Sequence, residues 1–289
     1  MLTGEPAGQG IRLTGGGKGG HRRPFYRPPS SRLRPIDPPA PLRAFHDNYI
    51  WWLPAADGPL LVDPGMAAPV LASFGAAPAL SGILLTHHHD DHIGGVPELL
   101  ARWPRTPVIA PHDARIPFAT RRVADGERFS LGGYTFGVIA VPGHTRSHVA
   151  YHGHGLLFSG DVLFSLGCGR LFEGDATTMR ASLRRLAELP DATRVCCGHE
   201  YTLANAAFAR ELMPGNAALA AHARRAEAQR AAGQPTLPGT LAEERAGNPF
   251  LREDDAEVRS ALARRLGAAP ADADAAFAAI RAWKDGYRA

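Results

Sequence analysis

The chain has little cysteine: Cys168, Cys196 and Cys197 are its only three in 289 residues, an odd number with two adjacent. A disulfide framework is therefore not expected, and a reducing compartment, the cytoplasm, is. No apolar run reaches the roughly 18 residues that a transmembrane helix needs, so no membrane partner is expected. The N-terminus also lacks the apolar stretch of a secretory signal. Net positive charge is lacking in the body of the chain. The formal net charge is +4, but residues 1–36 hold seven Lys or Arg against Glu5 alone, so the remainder carries 4 − 6 = −2. A near-neutral body without a basic, aromatic-rich surface speaks against a nucleic-acid partner. Internal repeats are absent too.

What is present is ordinary globular material, with 45% hydrophobic residues, enough for a sizeable core. The Arg-rich, acid-poor start carries Gly15-Gly16-Gly17 and Pro28-Pro29, which oppose the amphipathic helix of a transit peptide, so residues 1–40 are expected to be a disordered tail or an over-extended start, with a targeting segment as the lesser alternative. Beyond Pro41 the residues predict two antiparallel strands, over Phe45–Leu53 and Leu60–Val62, and a helix over Ala67–Phe74. A buried strand at Ile83–Leu85 follows, then a helix over Val96–Trp103. Further strands are predicted at Val108–Ala110, Tyr134–Val141, Val149–His152, Leu156–Ser159 and Arg194–Cys197, with an amphipathic helix over Thr178–Leu189. Mixed sheets covered by helices follow from this order. After Tyr201 the chain turns Ala- and Arg-rich without strand signals. Helices are predicted over 203–213, 216–232, 240–247, 254–266 and 271–285, with a Thr240/Glu243 capping box and Asp272 in the first turn of the last helix.

The chemical signal is Thr86-His87-His88-His89-Asp90-Asp91-His92, placed directly after a buried strand. Imidazole and carboxylate are ligands for zinc, iron or manganese. His87 and His89 are two apart and face one way in extended backbone, while Asp91 and His92 follow as the chain turns. One loop thus serves two sites, and other strand ends must complete them. His144, Asp161 and His199 each follow a predicted strand with glycine beside them. The expected arrangement puts His87, His89 and His144 on one ion and Asp91, His92 and His199 on the other, with Asp161 as the bridge. Two divalent cations (+4) against Asp91, Asp161 and one hydroxide (−3) leave about +1 for an oxyanion or thiolate. The spacers His88 and Asp90 are expected to point away. His148 is expected to lie behind the ligands and Asp63 to orient one of them.

The Thr-His-x-His-x-Asp-His run is similar to the signature of the metallo-β-lactamase superfamily. Further stretches resemble glyoxalase II, the hydroxyacylglutathione hydrolases: residues 45–51, 158–161, 167–174 and 197–202, Asn248-Pro249-Phe250-Leu251-Arg252, and Arg281-Ala282-Trp283-Lys284-Asp285. The resemblance implies an α/β chain, an αββα sandwich with a C-terminal all-α helical domain. The boundaries expected are 1–40 for the extension, 41–202 for the catalytic domain and 203–289 for a helical glutathione-binding domain. It implies two divalent ions, zinc foremost and iron or manganese as alternatives, with Asp91 and Asp161 as catalytic carboxylates. It further implies hydrolysis of S-D-lactoylglutathione to glutathione and D-lactate, the second step of methylglyoxal detoxification, by a hydroxide held between the ions. Arg170, Phe172, Tyr201, Arg281 and Lys284 match the family's glutathione contacts, with Arg170 where some members have Lys and Phe172 where some have Tyr. The expected partner is a small glutathione thioester and the expected state a monomer. The alternatives are an iron-dependent glutathione persulfide dioxygenase and another hydrolase of the same fold.

Overall fold

The computed structural model describes Met1 and residues 41–288; the disorder expected of residues 1–40 otherwise lies outside the described residues. A first sheet holds β1 (Leu42–Ala44), β2 (Asn48–Leu53), β3 (Leu60–Val62), β4 (Gly82–Leu84), β5 (Val108–Pro111) and β6 (Arg121–Val123) in chain order. Its first two pairings are antiparallel and the other three parallel. Parallel neighbours need long crossovers, supplied here by α1 (Ala67–Phe74) between β3 and β4, and by α2 (Asp90–Ile93) and α3 (Val96–Arg102) between β4 and β5. Side chains alternate across the sheet. Leu60 and Val62 face the second sheet, whereas Leu61 and Ile83 pack against Val70, Val96 and Leu99 of the helices.

The second sheet starts as an antiparallel meander of β7 (Arg128–Leu131), β8 (Tyr134–Ala140), β9 (Val149–Gly153) and β10 (Leu156–Gly160). A short hairpin, β11 (Leu163–Phe164) and β12 (Gly167–Cys168), leads into α4 (Ala176–Leu186). The chain then returns as β13 (Arg194–Cys197), parallel to β10. Trp51, Leu53, Phe136, Tyr151 and Phe158 fill the space between the sheets. The outer face of the second sheet, with Ala150, Leu157 and Val195, packs on α4 and on the C-terminal helices. These are α5 (Thr202–Leu212), α6 (Ala217–Ala231), α7 (Leu241–Gly247), α8 (Ala256–Leu266) and α9 (Ala273–Asp285). The order helix, sheet, sheet, helix is the sandwich that the family resemblance implies.

Three local expectations need correction. The region after residue 203 does hold a strand: β14 (Gly239–Thr240) pairs with Arg194 and Val195 at the sheet edge. Two residues are too few for a periodic signal. The edge strands β6 and β7 also escaped prediction, because Arg121-Arg122 and Arg128 give them polar, exposed positions. Asp272 is the N-cap of α9, where its carboxylate accepts from Ala275 N, rather than a first-turn residue.

The Thr240/Glu243 capping box is formed in both directions: Glu243 N donates to Thr240 Oγ1 at 3.3 Å and Thr240 N donates to Glu243 Oε2 at 2.8 Å. Replacing Thr240 with Ala is expected to cost about 1 kcal/mol. Urea unfolding would read this as a lower midpoint at unchanged slope; an unmoved midpoint would show that the box contributes nothing.

Candidate active site

The proposed ligands leave four different strand ends of both sheets. His87 and His89 lie on the chain between β4 and α2, and Asp91 and His92 on α2 itself. His144 lies beyond β8, Asp161 follows β10, and His199 follows β13. The sheets are tied at this rim, where Tyr49 N donates to Gly198 O at 2.8 Å. Two glycines make the convergence sterically possible. Gly160 has φ +49, and a Cβ there would lie 2.4 Å from Thr86 Oγ1. A Cβ on Gly198 would lie 2.6 Å from Asp161 Oδ1 and 2.7 Å from His92 Cε1. Both are places where only a bare backbone permits the approach.

Donor atoms converge in two groups, one of His87, His89 and His144 and one of Asp91, His92 and His199, each within 4.8 Å. In the first, His89 Nδ1 is 3.1 Å from His87 Nε2 and 3.0 Å from His144 Nε2. In the second, Asp91 Oδ2 is 3.3 Å from His199 Nε2 and 3.6 Å from His92 Nε2. Asp161 lies between them: Oδ2 is 3.6 Å from His144 Nε2 and 3.2 Å from His199 Nε2, and Oδ1 is 3.3 Å from His92 Nε2. A third group, Asp63, His87 and His92, overlaps these two, but Asp63 is already committed behind the ligands.

Three of the outward ring nitrogens have partners. Asp63 Oδ2 faces His92 Nδ1 at 3.1 Å, Asp47 Oδ1 faces His199 Nδ1 at 2.9 Å, and the Arg170 carbonyl faces His144 Nδ1 at 2.9 Å. Such partners fix which nitrogen carries the proton and turn the other lone pair inward. Two inward atoms, His92 Nε2 and Asp161 Oδ1, are buried and face each other at 3.3 Å without hydrogen-bond geometry, and neither has another hydrogen-bond partner among the described residues. Buried polar atoms are normally satisfied, so nitrogen and carboxylate donors aimed at one another in this way fit bound cations.

The protonation pattern agrees. Burial, then the neighbouring imidazoles, hold His87 well below its usual value and bring His89 down to about 4; burial also lowers His144. All three are neutral donors at pH 7. Burial opposes charge on His92 and His199 as well, but Asp161 outweighs it, placing His92 well above its usual value and His199 at about 10. Burial likewise resists ionisation of Asp161, yet those two rings hold it well below the carboxylate range. Cations held here would take the place of those protons.

Asp63, held at φ +51, accepts from Thr86 N at 2.8 Å and Thr86 Oγ1 at 2.7 Å besides facing His92. Replacing it with Ala is expected to weaken metal affinity about 10- to 100-fold, measured by competition with a chromogenic chelator; affinity equal to the parent would remove it from this role. His148 donates its ring face to His87, stacked at 4.6 Å and 20°, and its Nε2 accepts from Asp161 N at 3.2 Å. His88 points away from the donors, as expected of a spacer, towards Asp113 and Glu173. Sequence reasoning gave no role to Asp47 or to Asn48, whose Nδ2 donates to Asp91 Oδ2 at 2.9 Å. The available signal was a polar pair interrupting an aromatic strand.

A cavity of about 780 Å³ opens from His89, Asp91, His144, Asp161 and His199. Its walls include Arg170, Phe172, Tyr201, Arg281 and Lys284. Tyr201 stacks on His199 at 4.7 Å and 7°, and Phe172 meets His89 and His144 edge-on at 5.6 and 5.1 Å. Burial, aided by Arg281 and Arg170, brings Lys284 down to about 8. Arg281 departs from the open helix face that its spacing with Lys284 suggests. It is 5% exposed, donating to the Cys168 carbonyl at 2.9 Å and, through Nε and Nη2, to Asp285 at 3.1 and 2.9 Å. Helical spacing fixes the face but not what packs on it. Burial pushes the Cys168 thiol up to about 11, so it is a packing group rather than a nucleophile.

The family described as the metallo-beta-lactamase superfamily matches residues 46–199, and the hydroxyacylglutathione hydrolase C-terminus matches residues 200–287. A hydroxyacylglutathione hydrolase of Xanthomonas axonopodis pv. citri (strain 306) is 56% identical over 252 residues, 86% of this chain and 98% of its own length. One from Xylella fastidiosa (strain M12) is 53% identical over 248 residues, 86% of this chain and 96% of its own. Among solved structures, ETHE1 from Myxococcus xanthus aligns with a TM-score of 0.58 at 25% identity, over 86% of this chain and all of that one. The B3 metallo-beta-lactamase BLEG-1 aligns at 0.54 and 25% identity, over 73% of this chain and 97% of that one.

Proposed function

The chain belongs to the hydroxyacylglutathione hydrolase family within the metallo-β-lactamase superfamily, and from that premise we propose how its residues cleave S-D-lactoylglutathione to glutathione and D-lactate. One observation carries the reading: seven imidazole and carboxylate groups converge at one rim, and five of them, His89, Asp91, His144, Asp161 and His199, line a pocket whose far wall is cationic. His87, His89 and His144 would hold one divalent ion, Asp91, His92 and His199 a second, and Asp161 both. Nitrogen-rich donors with two carboxylates suit zinc best, with iron or manganese compatible. When bound, such ions supply Lewis acidity and a water ionised near neutral pH.

The chain's own residues do the rest. Asn48 fixes the Asp91 carboxylate facing the cavity, where it serves as an ionised acceptor. Glutathione carries two carboxylates, which Arg170 and Lys284 attract and orient. Phe172 and Tyr201 wall the thioester against the ligand cluster and exclude water from the sulfur side. Water adds its oxygen to the acyl carbon and gives one proton to the ionised Asp91 carboxylate; the carbon–sulfur bond of the tetrahedral adduct then breaks, and the thiolate leaves with the bonding pair because its acid has a pKa of about 8.5. Arg281 contributes chiefly by bracing Cys168 and presenting positive potential. Residues 41–202 and 203–289 are read as catalytic and glutathione-binding units, a division supported by the two family matches meeting at residues 199 and 200. The three cysteines are buried free thiols, which favours the cytoplasm. Among the described residues no helix is long and apolar enough to cross a membrane.

The test compares S-D-lactoylglutathione with a simple lactone on purified protein of known metal content. Release of free thiol, with lactone turnover far slower, is expected. The reverse preference would identify another hydrolase of this fold, and oxygen uptake with a glutathione persulfide would identify an oxygenase.

A further inference from the structure

Phe172 stands over the ligand cluster, yet it is 61% exposed. Burial of its own ring therefore contributes little to holding it there. The loop that bears it runs from Gly169 to Asp175, between β12 and α4. On one side Leu171 packs against the core beneath α4. On the other, the next residue, Glu173, is fastened by polar contacts to two further loops. Its carboxylate accepts from Arg146 N at 2.8 Å and from Arg115 Nη1 and Nη2, the latter at 3.3 Å.

Arg115 is itself braced. Its Nε and Nη2 donate to Asp113 Oδ1 and Oδ2 at 2.9 and 2.8 Å, and Ser147 Oγ donates to Asp113 Oδ2 at 2.5 Å. The His88 ring lies between the two carboxylates, 3.5 Å from Asp113 and 3.9 Å from Glu173. A lone exposed ion pair contributes little. This one differs because a planar guanidinium spans two carboxylates at once, and one of them, Asp113, is only 5% exposed. The fork geometry is specific to arginine. The latch therefore joins the loop beyond β5, the loop beyond β8 and the loop bearing Phe172.

We propose that the Arg115–Glu173 latch is a positioning device that sets how closely Phe172 approaches the ligand cluster, and thereby sets the size of acyl group the site accepts. The inference rests on the thioester hydrolase reading, because that reading puts the thioester between Phe172 and the ligands, and the acyl group is carried on the same carbonyl. Arg115 touches no substrate; it acts through Glu173 on Phe172. The backbone pairs on either side of Glu173, Glu173 N to His144 O at 3.3 Å and Gly174 N to Gly143 O at 3.1 Å, remain without it. Loss of the latch thus loosens the Phe172 side chain without dismantling the ligand His144.

The test measures kcat/KM for S-D-lactoylglutathione and for a bulkier aromatic 2-hydroxyacyl glutathione thioester. The proteins are the parent, Arg115→Ala, Glu173→Gln, Arg115→Lys and the Arg115→Ala/Glu173→Gln pair, each with metal content and Tm recorded. Either single substitution is expected to shift the ratio about three- to fivefold towards the bulky acyl group, at unchanged metal content. The double variant is expected to shift it no further than one single, because the two residues form one unit. Arg115→Lys, a point charge that cannot span both carboxylates, is expected to restore only part of the selectivity. An unchanged ratio in the single variants, or two independent additive shifts, would overturn the inference while leaving the hydrolase reading in place. A parent protein inactive on both thioesters would overturn the two together.

Discussion

Replacing Asp161 with Ala is expected to lower kcat more than about 100-fold, beyond the usual cost of losing a residue that only orients a ligand. Bound metal should fall below two ions per chain. The reason is position. Among the described residues Asp161 is the one carboxylate within 3.6 Å of donors from both groups, through Oδ2 to His144 and His199 and through Oδ1 to His92. Without it, His92 Nε2 and His199 Nε2 lose the charge that neutralises cations beside them. Folding should survive, because α4, β10 and the surrounding core do not depend on this side chain. Elemental analysis with thiol-release kinetics checks both parts. A variant that keeps two ions and more than a tenth of its activity would show that Asp161 is not the bridge.

Lys284 gives the second large effect, on a different constant. Its Nζ lies on the cavity wall, over the Phe208 and Tyr287 rings at 5.3 and 5.7 Å, and among the described residues its only hydrogen-bond partner is the Ala204 carbonyl at 3.2 Å. Removing a hydrogen bond to a charged group costs about 1.5–3 kcal/mol. Lys284→Ala is therefore expected to raise KM at least about tenfold with kcat little changed, the pattern of an interaction equal in ground and transition states. The lowered value of about 8 adds a pH signature. Below it Lys284 is cationic and attracts carboxylates; as pH rises through about 8 it loses its proton and binding weakens. The kcat/KM profile reports free-enzyme groups, so it should fall above about pH 8. Lys284→Arg, cationic to far higher pH, should move that limb upward. An unmoved limb, or an unchanged KM in Lys284→Ala, would remove Lys284 from the substrate site.

The proposed metal donors could be read from the sequence because their signal is local. Each sits at a strand end, four of them on one seven-residue stretch and three beside glycine, so strand period and turn chemistry suffice to place them. Their supports were less so. Asp47 reaches His199 from 152 positions away, and nothing in the β1–β2 turn announces that partner. Arg281 shows the opposite limit: its helical register with Lys284 was readable, but its burial against the Cys168 carbonyl depends on how α9 lies against the β11–β12 hairpin. Short edge strands were lost for a related reason, since β14 is defined by a neighbour, β13, rather than by its own two residues. Helices fared better because caps such as Thr240 and Glu243 satisfy their own ends within one turn.

The most direct measurement strips the protein of metal with a chelator and restores zinc stepwise while following thiol release from S-D-lactoylglutathione. Activity is expected to climb until two ions are bound per chain and then level off. Full activity at one ion per chain, with no gain from the second, would contradict the paired centre on which the account rests.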